Sequence, residues 1–195
     1  MPFIRIGASG DPSENWEHTI NVLKVISKCN IEIVIITRHW TLLADEQLQY
    51  LSTKNICINT SVSALDKPEM LERSLEQYNR IKSYCKSVLR IVSCDFNLKN
   101  ETGKQLAIIQ DVLFKNESTL DTVFRPSKKN KFITQGIINV KNEVFNGKKT
   151  LASKFNRKTY MGKCGSCKEM CGVNIKNEKY LYPDKPVITI QQSFF

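Results

Sequence analysis

Short apolar runs rich in Ile and Val alternate with longer stretches whose apolar residues return every three or four positions, and the alternation continues to about residue 125. "PFIRIGASG" predicts a short buried strand running into a glycine turn, and "SENWEHTINVLKVISKC" predicts a helix with Ser13 as its N-cap. The β-branched run "IEIVIIT" predicts a second strand, followed by a helix through "ADEQLQYLSTK" with Asp45 near its start. "NICINTSVS" predicts a third strand, and "KPEMLERSLEQYNRIKSYCKS" a long helix with Pro68 in its first turn. "VLRIVSCDF", "ETGKQLAIIQDVLFKN" and "LDTVFRP" continue the series as strand, helix and strand.

Five near-continuous apolar strands separated by four helices indicate parallel β/α units, buried on both faces and joined by right-handed crossovers. The expected fold class is α/β, either an open sheet or a partial, truncated TIM-like barrel, since the units are too few for eight-fold closure. In both geometries ligands sit at the C-terminal ends of the strands. That rule selects Ser9, Gly10 and Asp11 after the first strand, Thr37, Arg38 and His39 after the second, and Ser61 and Ser63 after the third. Cys94 and Asp95 follow the fourth strand and Arg125 the fifth. "GASGD" can present backbone N–H groups and a carboxylate to a polar ligand, and it equally suits a plain strand-to-helix turn. His39 beside Trp40 suits packing or capping, and no matching nucleophile gives it a catalytic part.

From Pro126 the pattern changes, which divides the chain into a β/α domain over 1–125 and a C-terminal segment over 126–195. "FITQGIINVKNEVFNGKK" suits a hairpin or an irregular return, and "PVITI" a final strand. Between them Cys164, Cys167 and Cys171 form a C-x2-C-x3-C array, and Gly162, Gly165 and Gly172 permit the tight turns that would let three thiolates converge. Tetrahedral zinc needs a fourth ligand, whereas a three-cysteine iron–sulfur cluster leaves one iron for an external group. Cys94, Cys85, Glu169 or a small molecule could supply the remaining position. Three unliganded thiols are the plain alternative, and spacing alone does not choose the metal. A metal here would be expected to fix the tail against the C-terminal ends of the strands.

Charge alters the picture of the second half only. Residues 1–98 hold 11 basic and 11 acidic side chains, so the net +10 comes entirely from the remainder. The span from Arg125 to Lys168 has twelve basic residues and one acid, Glu143, which suits either a solvated lysine-rich surface or an anion-binding face. Phe132, Phe155 and Tyr160 lie within it, so a zinc-stabilised module that binds nucleic acid through 125–168 is a coherent alternative. The N-terminus lacks the pattern of a secretory signal and no apolar run reaches membrane-spanning length. A soluble cytoplasmic protein without a membrane partner is therefore expected, its seven cysteines reduced or metal-bound.

"FIRIGASGDPSENWEHTINVLKVI", "IEIVIITRHWTLL" and "NICINTSVSALDKPEMLERSLEQYNRIK", with the late "GKCGSCKEMCG", resemble the middle and later units of a radical SAM (S-adenosylmethionine) partial barrel, chiefly its short phage- and plasmid-type members. The resemblance spans about residues 3–125 plus the cysteine array. It implies that Ser9, Gly10 and Asp11, with Ser61 and Ser63, face S-adenosylmethionine or substrate, and that Cys164, Cys167 and Cys171 hold an auxiliary iron–sulfur cluster or a structural metal such as zinc. The family binds its catalytic cluster through C-x3-C-x2-C after the first strand, and that spacing occurs nowhere in this chain. The resemblance therefore implies a barrel lacking its first units, with a second chain supplying them, and leaves reductive SAM cleavage by this chain alone in doubt.

Overall fold

The computed structural model describes residues 3–7, 9–115, 119–145, 147–153 and 170–173. Five strands, β1 (Ile4–Ile6), β2 (Ile33–Thr37), β3 (Ile56–Val62), β4 (Lys86–Ser93) and β6 (Thr119–Val123), form one parallel sheet in the order β1-β2-β3-β4-β6. A two-residue strand, β5 (Asp95–Phe96), leaves the end of β4. The helices α1 (Trp16–Ile26), α2 (Asp45–Ser52), α3 (Pro68–Ile81) and α4 (Glu101–Phe114) fill the intervals, as the apolar periodicity predicts.

Neighbouring strands of this sheet follow chain order without a reversal, so right-handed crossovers place every helix on one face. The packing agrees. Ile33, Ile35, Ile56 and Ile58 meet Trp16, Ile20 and Leu23 of α1 and Leu48 and Leu51 of α2. Leu89 and Ile91 meet Leu71, Leu75 and Tyr78 of α3 and Leu113 of α4. Each such side chain contributes about 1.5–3 kcal/mol when fully buried. The alternate residues Val34, Cys57, Val88 and Leu120 point to the opposite face, where Phe3, Ile36, Cys171 and Val173 pack over them. Helices thus cover one face, and Phe3 with residues 171–173 pack on the other.

Two local details differ from the sequence reading. Asp11, not Ser13, opens the first helical region: its carboxylate caps a single 3-10 turn over Pro12–Glu14. Asn15 then caps α1, its side chain accepting from the His18 N–H at 2.9 Å. Gly7, at φ +95°, lets the chain leave β1 against β2, because a Cβ there would lie 2.3 Å from the Ile36 carbonyl oxygen.

Beyond Val123 the chain folds back on the body. Phe124 bridges Ser153, and the short helix α5 (Lys131–Thr134) leads into β7 (Ile138–Asn139), which pairs antiparallel with β5. Phe132, Ile133, Ile137 and Ile138 pack with Ala64, Cys94 and Phe96 near the end of β4. The expected hairpin is β8 (Lys141–Phe145) with β9 (Lys148–Ala152). The segment "PVITI" lies outside the described residues. Among the described residues no helix is long and apolar enough to cross a membrane.

Candidate functional site

The loops at the C-terminal strand ends are tied to one another by side chains. Asp11 Oδ1 accepts from the Ser13 N–H at 2.9 Å, the Ser13 hydroxyl at 2.6 Å and the Thr37 hydroxyl at 2.7 Å, while Oδ2 accepts from the Arg38 N–H at 2.7 Å. Burial alone would raise the Asp11 pKa; the bonds from Ser13, Thr37 and Arg38 outweigh it and hold the carboxyl below its ordinary value. Thr37 Oγ1 in turn accepts from the His39 N–H at 3.0 Å, and His39 Nε2 lies 2.9 Å from Thr60 Oγ1. One polar chain therefore joins the ends of β1, β2 and β3. His39 is fully buried at φ +55°, and desolvation pushes its pKa down to about 4, so the ring is neutral near pH 7. Its Nδ1 has no hydrogen-bond partner among the described residues.

Arg38 pairs with Asp66 and lies 5.7 Å from the Trp40 ring centroid, and Asp66 Oδ2 accepts from the Ser63 N–H at 2.8 Å. Ser63 donates to the Val92 carbonyl at 3.1 Å and accepts from the Leu65 N–H at 3.2 Å. Several residues selected by the strand-end rule therefore bond to one another, and they do not line one shared pocket among the described residues. Asp11 and Ser63 have their polar atoms engaged within the protein. Ser9 and Gly10 are exposed, and Gly10 with Asp11 borders a groove of about 270 Å³ between the end of β1 and α1, lined also by Ile6, Pro12, His18 and Val22. Ser61 is buried and alternates onto the helix-free face with Cys57 and Asn59.

That face receives the tail. The Asn59 amide donates to the Cys171 carbonyl at 2.9 Å, and Lys86 Nζ donates to the Val173 carbonyl. The Cys57 thiol lies under the same turn, with Sγ 3.9 Å from the Cys171 oxygen. Between these anchors Gly172, at φ +92°, presses on the strands: a Cβ there would fall 2.7 Å from a Val88 methyl and 3.2 Å from Cys57 Sγ. Cys57 and Lys86 are register partners near the start of β3 and β4. Residues 170–173 thus dock toward the N-terminal half of the sheet. The C-terminal segment therefore meets the body at two places: Phe132–Ile138 pack near the end of β4, and residues 170–173 lie nearer the strand starts, where Asn59 and Lys86 donate to their carbonyls. Cys164 and Cys167 lie outside the described residues.

Cys85 and Cys94 belong to the helix-side core, and Cys29 is exposed. Cys94 is enclosed with Phe96 and Ile138, its N–H donating to Gln110 Oε1 at 2.8 Å and its carbonyl accepting from Gln110 Nε2 at 3.0 Å. Cys85 packs with Ile56 and Ile81. Burial raises both thiol pKa values, that of Cys85 to about 12, so neither is a ready thiolate. Among the described residues no three His, Cys, Asp or Glu side chains gather as a metal site.

Lys128, Lys129, Lys131, Lys141, Lys148 and Lys149 are exposed around α5 and the β8–β9 hairpin. Phe132 is partly buried against the cluster of Ala64, Cys94 and Phe96, with Lys131 Nζ 5.0 Å from its ring centroid. Phe155 and Tyr160 lie outside the described residues. Sequence reasoning missed Cys57 and Asn59. Strand alternation puts them on one face, but nothing local says what covers that face.

No family model, curated protein or solved structure matches the chain. The functional reading therefore rests on the geometry just described and on the resemblance noted in the sequence.

Proposed function

We propose that this chain is a metal-binding β/α protein of the radical SAM kind, in which Cys164, Cys167 and Cys171 hold an iron–sulfur cluster or zinc. One observation carries the reading. The last cysteine of the array is held on the helix-free face of the sheet through the Asn59–Cys171 hydrogen bond and the close seat of Gly172. Cys171 is partly buried there beside the buried Cys57, Val34 and Val88.

The sheet supports a partial barrel. Strands in chain order with helices on one side are what a barrel wall requires, and an open doubly wound sheet would reverse its order and carry helices on both faces. β1 pairs only with β2 among the described residues, and the groove beside it is where a preceding β/α unit from a second chain would dock. S-adenosylmethionine fits less well. Ser9, Gly10, Asp11, Ser61 and Ser63 offer it no shared pocket among the described residues, and no step of its chemistry is assigned to them.

The test is metal and sulfide analysis of protein purified without oxygen, beside Cys171→Ser. Metal bound by the wild type and lost from the variant supports the reading; a metal-free wild type sinks it. A second reading has its own observation, the exposed lysines of α5 and the β8–β9 hairpin, which suit nucleic acid. Binding to single-stranded DNA or RNA that weakens steeply with salt would support it, and no binding at low ionic strength would dismiss it.

A further inference from the structure

The loop over residues 38–43 and helix α3 enclose a group of polar atoms that the protein leaves unserved. The Ser74 hydroxyl donates to the Arg38 carbonyl at 3.1 Å, and Arg80 Nη1 donates to the Leu43 carbonyl at 2.7 Å, so α3 is fastened to both ends of the loop. Between those anchors Arg73 and Gln77 stand one helical turn apart on α3 and share the face that meets the loop. His39 is fully buried inside the loop, with Nε2 2.9 Å from Thr60 Oγ1. Arg73 is close enough for its charge to act on this ring, adding to the desolvation that holds the His39 pKa down.

Arg38 Nε, His39 Nδ1, Arg73 Nε and Gln77 Oε1 are each buried with no hydrogen-bond partner among the described residues. Buried polar atoms are paired in the great majority of cases, so four orphans at one junction of loop and helix point to a ligand that pairs them. Their chemistry defines it. The two guanidinium Nε–H groups are charged donors. With the Thr60 hydroxyl donating to Nε2, the neutral His39 ring carries its proton on Nδ1 and gives a third donor. Gln77 Oε1 is an acceptor and calls for a hydroxyl. Water would serve the hydrogen bonds but not the charge. Asp66 already holds Arg38 and the Ser63 N–H, the Asp11 carboxylate is taken by Ser13, Thr37 and the Arg38 N–H, and Arg73 makes no ion pair among the described residues. Donors, acceptor and positive charge together suit an oxyanion that keeps one hydroxyl group.

We propose that this junction is a binding site for monohydrogen phosphate, with Arg38, Arg73 and His39 donating to its anionic oxygens and Gln77 accepting from its P–O–H group. The arrangement discriminates among anions. Sulfate has the same shape and charge but no proton at neutral pH, so it leaves Gln77 Oε1 buried and unpaired. The site lies on the helix side of the sheet, opposite the face that receives residues 170–173, and stands independently of the metal-binding reading. Bound phosphate clips the loop to α3 beside the polar chain that joins the ends of β1, β2 and β3.

The experiment is equilibrium dialysis of the full chain against radiolabelled inorganic phosphate, with unlabelled sulfate as competitor, for the wild type, Arg73→Gln and Gln77→Met, and far-UV circular dichroism as a check on folding. Dialysis reads binding directly, whereas both anions also stabilise proteins through exclusion from their surfaces. The expected result is a saturable phosphate site in the wild type that sulfate fills about 10-fold or more less tightly. Arg73→Gln removes a charge-assisted bond and should weaken phosphate binding by about 10-fold or more, while Gln77→Met should bring sulfate level with phosphate. A wild type without saturable uptake overturns the site, and so does undiminished uptake by folded Arg73→Gln, which would place the phosphate on the exposed lysines of α5 and the β8–β9 hairpin. Sulfate competing as well as phosphate in the wild type also overturns it, and that comparison needs no variant.

Discussion

Replacing Asp11 by alanine tests the claim that this carboxylate is a structural clamp. The side chain accepts four hydrogen bonds, from Ser13 twice, from Thr37 and from the Arg38 backbone. Ser13 and Thr37 are almost wholly buried, so water cannot simply replace the lost acceptor. Hydrogen bonds to a charged group are worth about 1.5–3 kcal/mol each. The carboxylate is only half-buried and its donors share two oxygens, so two bonds at the low end are the fair sum, a loss of about 3 kcal/mol. With a urea slope of about 2 kcal/mol/M, the unfolding midpoint drops by about 1.5 M. Acid supplies the second half of the test. The folded-state pKa lies below its ordinary value, so the unfolded chain binds the extra proton in the interval between the two. The stabilisation is complete above the ordinary carboxylate pKa and disappears as pH falls through the folded value. Urea unfolding followed by far-UV circular dichroism, at pH 7 and in steps toward about pH 3, should show the gap between wild type and Asp11→Ala closing in acid. A loss below about 0.5 kcal/mol at pH 7, or one of unchanged size in acid, would refute the clamp.

Three further expectations follow from the same geometry. His39 is held neutral with a pKa of about 4 against an ordinary 6.5, so its contribution is complete above pH 6.5 and is lost as pH falls toward 4, by up to about 3 kcal/mol. His39→Gln should flatten the stability profile across that window, and an unchanged profile in chemical unfolding would contradict the assignment. Gln110→Ala leaves the buried Cys94 N–H and carbonyl unpaired and should cost about 2–3 kcal/mol in the same assay; a cost under about 1 kcal/mol would show that the pairing is replaced. Gly172→Ala meets the Val88 methyl in a backbone conformation hostile to a side chain, so the tail should be cut several-fold faster by trypsin while the main unfolding midpoint barely moves. Equal cleavage rates would mean that the Gly172 seat does not hold the tail.

The alternation of apolar runs and amphipathic stretches was enough to establish an α/β chain of five parallel strands and four helices, because side-chain period is a local property that each segment declares by itself. Helix starts were less legible. Asp11, Ser13 and Asn15 are all good caps, and only the packing of the loop against Thr37 and Arg38 decides that Asp11 caps the 3-10 turn and Asn15 caps α1. The strand-end rule found the loops that cluster, but not that the Asp11 carboxylate accepts from the Arg38 backbone and the Ser63 hydroxyl donates to Val92 of β4. The same distinction holds for the thiols. Sequence displays the spacing of Cys164, Cys167 and Cys171 and the face parity of Cys57, Asn59 and Ser61. That residues 170–173 settle on that face depends on donors in β3 and β4, on a glycine small enough to sit against Val88, and on helices occupying only the other side of the sheet. These are contacts between segments far apart in the chain, and long-range contacts belong to the tertiary fold because no local pattern specifies which surface a segment will meet.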